Sequence, residues 1–589
     1  MSKARYFQDE LDYLRKSGDE FSQYFPRLTE YLSSRSVDPD VERLLEGFAF
    51  LTGRLREKVD DQLPEVTQSL LMLLWPNFLR PIPSMTIIEL APVPGSISEA
   101  QVIEKNSEIE SIPIDGTICR FKTAYDAVIH PLCVKDLRHD VSREASVITL
   151  RLETLSQEDI KTINLESLRF YLGGGDYSAL MINLWLHRYT KNCLLCTPSG
   201  KEIAFSADKI RPVGLSKGEG VLPYPDNAFT GYRLVQEFFC LPQKYYFFDI
   251  VDLPLHAVEN GADHIDLVIT FKRPLPPDVR VRSASFMLHC VPAINLFDHD
   301  SEPILLDGKR TEYQLLPSRR NAGALEIFSV EKVVGWTANP DAPSGGISRE
   351  YSRFESFAHE IERVDGRTTI YFRERVVQSI STEHLERMLS FVREDEVAQV
   401  NVGETISVDM LCSNGVIPAE LGIGDVAIPS NTLPSFVRPR NVIRPTVPRY
   451  PVVDGTLQWQ LISALSLNYL SLENAEALRT ILHSFDFASR VDRKNERTAQ
   501  RRLEGIESIH SETIDRLFKG IPVRGMRSTI KMRESHFASE GEMFLFSTVL
   551  AEFFALFSTI NSFHELVVHG MEAGEEYRWP VRVGNQPLI

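Results

Sequence analysis

Cysteine is scarce in this chain, and what there is of it is scattered. The 589 residues carry seven cysteines, an odd number spread along the sequence, which excludes a disulfide scaffold and fits a reducing compartment. Long apolar runs are also missing. The most membrane-like stretch, Met543 to Phe563, is interrupted by Glu552 and several Ser and Thr well short of the ~20 residues a span requires. The first residues, MSKARYFQDELDYL, show no apolar core followed by a small-residue cleavage site, so no secretory signal is expected. Positive charge is in deficit. A formal net charge of −17 argues against nucleic-acid binding, which needs a basic footprint. Internal repeats and low-complexity tracts are absent as well.

Spacings that would carry catalysis fail on inspection. Cys193 and Cys196 have C-x-x-C spacing, but no second pair stands at zinc-ribbon distance. His564, Glu565 and His569 nearly match a zinc-protease helix. Five residues, however, place the two histidines about 140° apart on a helix, where they cannot share a metal. Asp298, His299 and Asp300, with Glu302 nearby, are possible ligands for a dispersed metal-dependent hydrolase site. Adjacent residues rarely converge on one ion, so a solvated turn is the expectation there. Gly173-Gly174-Gly175-Asp176 lacks the Lys and Ser/Thr of a phosphate loop and reads as a hairpin turn. The basic run Arg490, Arg493, Lys494, Arg497, Arg501 and Arg502 reads as a solvated helix face, and it has no aromatic interleaving. No catalytic, cofactor or metal site is therefore assigned.

What the sequence does have is apolar patterning. Phe7, Leu11, Leu14, Gly18, Phe21 and Phe25 alternate spacings of four and three, a helix–helix seam, which Pro26 ends or kinks. Asp38 is placed to cap a helix with Pro39 in its first turn. Along that helix Val41, Leu44, Leu45, Phe48, Leu51, Leu55, Val59 and Leu63 form a stripe roughly 120° wide. Burying them is worth roughly 1.5–3 kcal/mol each before entropy, so the stripe needs a partner surface and is expected to support the fold or a permanent bundle. Phe50 lies on the opposite side, either a stray surface residue, which needs no explanation, or the mark of a second contact. From Pro64 the apolar residues Val66, Leu70, Leu71, Met72, Leu73 and Leu74 point nearly all round, as in a helix buried on every side. Phe7, Leu11, Leu14, Phe21, Phe48, Phe50, Leu55 and Trp75 are the candidate protein-contact residues.

From Ser84 the texture becomes β-rich. Thr86–Leu90, Cys119–Thr123, Ser146–Leu152 and Leu168–Leu172 read as strands, with more near 265–272, 284–291, 325–334 and 368–373. Tyr177–Leu186 reads as a helix among them. Gly335–Ser352 reads as a loop, and Asn414–Arg449 is Pro-rich with little periodicity. After about residue 450 the pattern turns α/β: helices at Leu457–Leu472, Ala475–Ser484 and Met543–Asn561, and a strand at Arg524–Met532. The last helix has Phe546, Val549, Leu550, Phe553 and Phe554 on one face and Ser547, Ala551 and Ala555 on the other, as a core helix covered on both sides would. The expected fold is α+β and multidomain. It comprises a helical segment over 1–83, a first β-rich sandwich- or barrel-like domain over 84–240, a second with long loops over 241–445, and a mixed α/β region over 446–589.

Several blocks are together recognisable. Asp38-Pro-Asp-Val-Glu-Arg-Leu-Leu-Glu-Gly-Phe-Ala-Phe-Leu51 and Leu74-Trp-Pro-Asn-Phe-Leu-Arg-Pro-Ile-Pro-Ser-Met85 come first. Leu222-Pro-Tyr-Pro225 with Gly231-Tyr-Arg-Leu-Val-Gln-Glu-Phe-Phe239 follow, then Val291-Pro-Ala-Ile-Asn-Leu-Phe297 with Glu302-Pro303. Arg444-Pro-Thr446, Trp459–Leu472 and Phe537-Ala-Ser-Glu-Gly541 through Asn561-Ser-Phe563 complete the order. In this sequence the chain resembles the TssF family of bacterial type VI secretion baseplates over nearly its whole length. One departure is Ser547, where the pattern has Gly.

The resemblance implies a non-enzymatic wedge subunit without cofactors. It implies pairing with TssG, two TssF copies to one TssG, and association with TssK and TssE around a VgrG hub. On such a platform the Hcp tube and the TssB/TssC sheath start. The implied place is the cytoplasm, at the inner face of the inner membrane, with the membrane reached only through TssK. Neither nucleic acid nor a small-molecule substrate is implied.

Overall fold

The computed structural model describes residues 7–8, 10–17, 39–60, 64–155, 159–163, 165, 167–225, 230–318, 324–338, 346–354, 370–378, 385–393, 403–451, 474–486, 493–518, 521–556, 558 and 562–584. The chain divides into two compact units, residues 1–71 with 452–465, and residues 72–451 with 466–589.

In the first unit residues 10–17 are helical. Helix α1 spans Pro39–Asp60, and α2 begins at Pro64, runs to Leu74 and crosses into the second unit. Proline stands at the first position of each, where its missing N–H has no helical partner to lose. Asp38, Phe21, Phe25 and the expected helix Leu457–Leu472 lie outside the described residues. Helix α2 is not buried on every side as its composition suggests. Val66 and Leu74 are exposed, while Thr67 and Gln68 are buried beside Leu71 and Met72.

The second unit is built on sheets. A six-stranded antiparallel sheet runs in the order Val426–Pro429, Glu108–Ser111, Arg120–Thr123, Cys290–Ile294, Met85–Pro92, Val437–Asn441. The Pro-rich stretch 414–449 thus supplies both outer strands of that sheet. Pro429 and Pro439 are tolerated there because an edge strand need not donate on its outer side. A five-stranded sheet orders Glu202–Phe205, Thr190–Cys196, His264–Phe271, Ser146–Thr154 and Leu132–Val141. In Ser146–Thr154 buried and half-buried residues alternate throughout, the period-2 pattern of a strand with one face on a core. A four-stranded sheet orders Ile210–Pro212, Phe247–Val251, Ser167–Tyr171 and Met287–Leu288. These sheets bring together residues from both sides of position 240.

The stretch expected as a loop over Gly335–Ser352 is instead part of a β-hairpin. Glu326–Ala338 pairs antiparallel with Gly346–Arg353 from Val333↔Tyr351 to Ala338↔Gly346. Gly335 and Gly346 obscured it, and cross-strand pairing outweighed their low strand propensity. The two strands belong to an eight-stranded sheet whose core includes Phe297, Leu306, Val333, Phe372, Leu389 and Val408.

The Gly173–Asp176 segment is not a hairpin turn. Gly175, at φ 118°, precedes helix α3 (Asp176–Leu184), which continues into a π-helical turn, Trp185–Tyr189. Next come helix α4 (Thr230–Cys240), α5 (Ala475–Phe485) and α6 (Arg493–Glu504). A long hairpin, Ile506–Phe518 with Ile521–Met532, is followed by α7 (Glu540–Leu556). Strand Phe563–Gly570 then lies parallel to Ile521–Met532, a βαβ arrangement with α7 as the crossover.

Helix α7 is buried on both faces, as its sequence suggests: Phe546, Val549, Phe553 and Phe554 on one side, Ser547, Ala551 and Ala555 on the other. Gly541 is required by close packing, since a Cβ there would lie 2.4 Å from the Leu180 carbonyl oxygen of α3.

Candidate interaction surfaces

Helix α1 turns the sequence expectation outward. Its buried side is made of small residues, Ala49 and Gly53. Leu44, Phe48 and Leu51, the centre of the apolar stripe, are 73%, 56% and 61% exposed. At 100° per residue these three sit within roughly 60° of one another, a single exposed apolar strip along the helix. Leu44, Phe48 and Leu51 are therefore left for a bundle with a partner, while Leu45 is half-buried and the side chains of Val41, Leu55, Val59 and Leu63 lie outside the described residues. Phe50 is 51% exposed on another side of the helix. On the helix over 10–17 Leu11 is buried and Leu14 half-buried, and Phe7, ahead of it, is half-buried. Of the remaining candidates, Phe21 and the side chain of Leu55 lie outside the described residues.

Trp75 goes the other way. It is 1% exposed, with its ring 4.9 Å from Phe485, 5.5 Å from Phe78 and 5.8 Å from Tyr232. Tyr232 stacks on Phe485 at 4.9 Å and reaches Phe553 at 6.0 Å. One tryptophan thus links the end of α2 to α4, α5 and α7, and it is a core residue of the second unit and not a surface one.

Residues in the blocks that carry the family resemblance make buried or partly buried polar bonds, to one another or to neighbouring strands. Glu237 of α4 accepts the Val221 and Leu222 amides at 2.7 and 2.9 Å and pairs with Lys244, both side chains being fully buried. Burial pulls the Lys244 ammonium below its ordinary range against the pull of Glu237. Asn295 donates to the Arg120 carbonyl at 2.7 Å and to Asn414 Oδ1 at 2.8 Å, while its own Oδ1 accepts the Asn414 amide at 2.7 Å. Thr446 Oγ1 accepts the Met85 amide at 2.9 Å, and Ser84 Oγ donates to the Thr446 carbonyl at 2.6 Å. Buried polar groups cost free energy unless paired, so these residue types are fixed by architecture.

The chemically tempting residues are dispersed by the fold. His564 to His569 is a strand and not a helix, so residues five apart face opposite sides. His564 Nε2 meets Ser528 Oγ at 2.9 Å, and its imidazole stacks on Phe554. Burial lowers its pKa to about 4. Glu565 is held by Arg516 at 2.8 Å and Arg527 at 2.9 Å. Asp298–Asp300 is likewise a strand and not a turn, paired with Thr405–Ser413. Asp298 is bound by Lys122 at 2.6 Å, while His299, on the other face, meets Ser318 at 3.1 Å. Cys193 and Cys196 lie on one strand, three residues apart and so on opposite faces. Among the described residues no three His, Cys, Asp or Glu side chains are grouped to hold a metal ion. No described helix is long and apolar enough to cross a membrane.

Arg502 departs from a solvated face. It pairs with Glu542 and lies over the Phe238 ring at 5.6 Å, fastening α6 to the start of α7. Exposed apolar groups that the sequence did not single out include Trp336 and Ile347 on the middle hairpin and Leu517 near the tip of the C-terminal hairpin.

Residues 2–586 match the family model described as "Type VI secretion system, TssF". The chain is 28% identical over 632 aligned positions to "Type VI secretion system component TssF1" of Pseudomonas aeruginosa, with 99% of both chains covered. It is similar to a chain in the structure of the type VI secretion system TssK-TssF-TssG baseplate subcomplex. The TM-score is 0.75 at 29% identity, covering 92% of this chain and 100% of that one. It shares its fold with a chain of the baseplate complex from the type VI secretion system, with a TM-score of 0.67, 24% identity and full coverage of both.

Proposed function

The chain belongs to the type VI secretion system TssF family, and from that premise we propose that it is a non-enzymatic baseplate wedge subunit that docks a partner on the outward strip of α1. One observation carries the reading: Leu44, Phe48 and Leu51 are exposed together on a helix whose inward side is Ala49 and Gly53. Contiguous exposed apolar side chains of this size mark an interaction site in a soluble assembly. Removing such a strip from water contributes about 25 cal/mol per Å². The homologous chain of the TssK-TssF-TssG subcomplex supports TssG as the direct partner and TssK as a further member. Two copies of the subunit to one TssG, contacts with TssE and a VgrG hub, and a place at the cytoplasmic face of the inner membrane complete the proposal. Phe50 serves the second contact, to the other copy.

The test is co-expression with TssG followed by affinity capture. Phe48→Asp with Leu51→Asp should abolish capture of TssG while the chain keeps its native circular dichroism. Phe50→Asp alone should keep TssG and lose the second copy. Retention of TssG by the Phe48→Asp, Leu51→Asp variant refutes the docking assignment.

A further inference from the structure

A cavity of about 300 Å³ opens where α7 meets the π-helical turn and the last described strands. Its walls are aromatic and aliphatic. Phe544 and Trp579 stack at 5.5 Å, Tyr577 stands 5.8 Å from Phe544, and Val213, Leu215 and Leu545 close the remainder. Trp579 is fixed by its indole N–H donating to Thr548 Oγ1 at 3.1 Å. Two polar atoms of the lining are buried without a hydrogen-bond partner, Asn183 Oδ1 and His187 Nε2. Asn183 is 3% exposed. Burial lowers the His187 pKa to about 4, so the ring is neutral. Buried polar atoms in this state are rare and costly, and their place on a cavity wall points to a ligand that satisfies them.

The charges around the cavity narrow the choice. Arg188, Arg578 and Arg582 line it against one carboxylate, Glu552. Glu552 is already paired with Arg582, and Arg578 lies beside Glu576 and Glu565. A guanidinium or ammonium would meet Arg188, which among the described residues is not paired with a carboxylate, and would find Glu552 already taken. A purely aliphatic group would leave Asn183 and His187 unsatisfied. A ring with one polar edge, an indole or a phenol, satisfies both constraints and stacks on Phe544 and Trp579. The volume is at the small end of ligand pockets and suits one large side chain.

We propose that this cavity is a socket for a tryptophan or tyrosine side chain of a partner polypeptide, with acidic residues flanking that ring to meet Arg188, which donates to the Glu576 carbonyl and, unlike Arg578 and Arg582, is not paired with a carboxylate among the described residues. The socket is independent of the α1 strip and stands or falls separately from it.

The test uses the full chain and a fluorescently labelled peptide, acetyl-Glu-Asp-Trp-Asp-Glu-amide, read by anisotropy at low salt. A matched peptide with alanine in place of tryptophan should bind at least about tenfold more weakly, the change that burial of one large side chain brings. Leu215→Trp, which fills the cavity with the chain's own ring, should weaken the tryptophan peptide by a similar factor and leave TssG capture through α1 unchanged. Asn183→Leu should weaken it too. Equal binding of the two peptides, or unchanged binding to Leu215→Trp, overturns the proposal. So does binding of free indole-3-acetate without the peptide, which would make this a small-molecule site. Absence of any binding also overturns it, leaving a solvated cavity only.

Discussion

Replacing Trp75 with alanine should be among the most damaging single changes in this chain, although a Trp-Pro segment at the end of a helical arm reads from sequence as a contact surface. Its ring is 1% exposed and has Phe485, Phe78 and Tyr232 within 5.8 Å. A buried Trp→Ala change typically costs about 3–5 kcal/mol, and aromatic pairs contribute about 0.5–1.5 kcal/mol each beyond burial. Because three rings from α4, α5 and the Pro76 turn share this one partner, the upper part of that range applies. Trp75→Phe keeps a ring against Phe485 and should cost about 1–2 kcal/mol. The assay is urea denaturation followed by near-ultraviolet circular dichroism, which reports aromatic packing. The midpoint for Trp75→Ala should fall by on the order of 1 M. Phe48→Asp is the companion measurement. Its side chain is 56% exposed, so the midpoint should move by no more than about 0.5 kcal/mol equivalent. An unchanged midpoint for Trp75→Ala, or a large fall for Phe48→Asp, refutes the division between a packed Trp75 and an outward α1 strip.

Three further substitutions probe the interior. Gly541→Ala places a Cβ 2.4 Å from the Leu180 carbonyl oxygen and should destabilise by about 1–3 kcal/mol through overpacking; a melting temperature equal to wild type would show that α7 and α3 can separate freely. Glu374 is buried between Arg387 and Arg353, and burial lowers the Arg387 pKa to about 9. Glu374→Gln leaves that guanidinium buried without its carboxylate and should cost about 3–5 kcal/mol, read as a lost or lowered thermal transition. Glu326 has its pKa raised from 4.5 to about 7, chiefly by burial. Between these values the unfolded chain releases the proton that the folded chain retains, so this group lowers stability as pH rises from about 4.5 to 7. Glu326→Gln should therefore gain stability at pH 8, with the gain shrinking toward pH 5 in paired melts; a gain independent of pH contradicts the assignment.

The legible parts of the fold were those where local pattern and tertiary demand agree. Helices α5 and α7, the strand ending at Met532 and the alternating strand Ser146–Thr154 follow the periodicity of their apolar residues. Gly335–Ser352 reads as a loop, and Asn414–Arg449 gives little periodicity, because their strand character comes from neighbours: Trp336 pairs with Ser348 and Thr405, and Pro439 sits on an outer strand opposite Leu90. Such pairings leave no local signal. The histidine spacing at 564 and 569 was judged as a helix when it is a strand, and either geometry separates the two rings. For the interaction surfaces, the sequence located the α1 stripe but not its direction. Periodicity defines a face without saying whether the chain itself covers it. Of the two roles expected for the stripe, fold support or a permanent bundle, the exposure of Leu44 and Leu51 favours a bundle with a partner, whereas Trp75, a candidate contact by sequence, is enclosed. The polar atoms of Asn183 and His187 had no sequence signal, since only the packing of α7 against the π-helical turn makes them notable.

The central claim is that the outward strip of α1 is where this subunit meets its partner in the baseplate. Imaging the chain in complex with TssG at side-chain resolution tests it most directly. Leu44, Phe48 and Leu51, exposed in the isolated chain, should be buried against TssG. A complex in which TssG is bound elsewhere, with those three side chains still facing solvent, contradicts it.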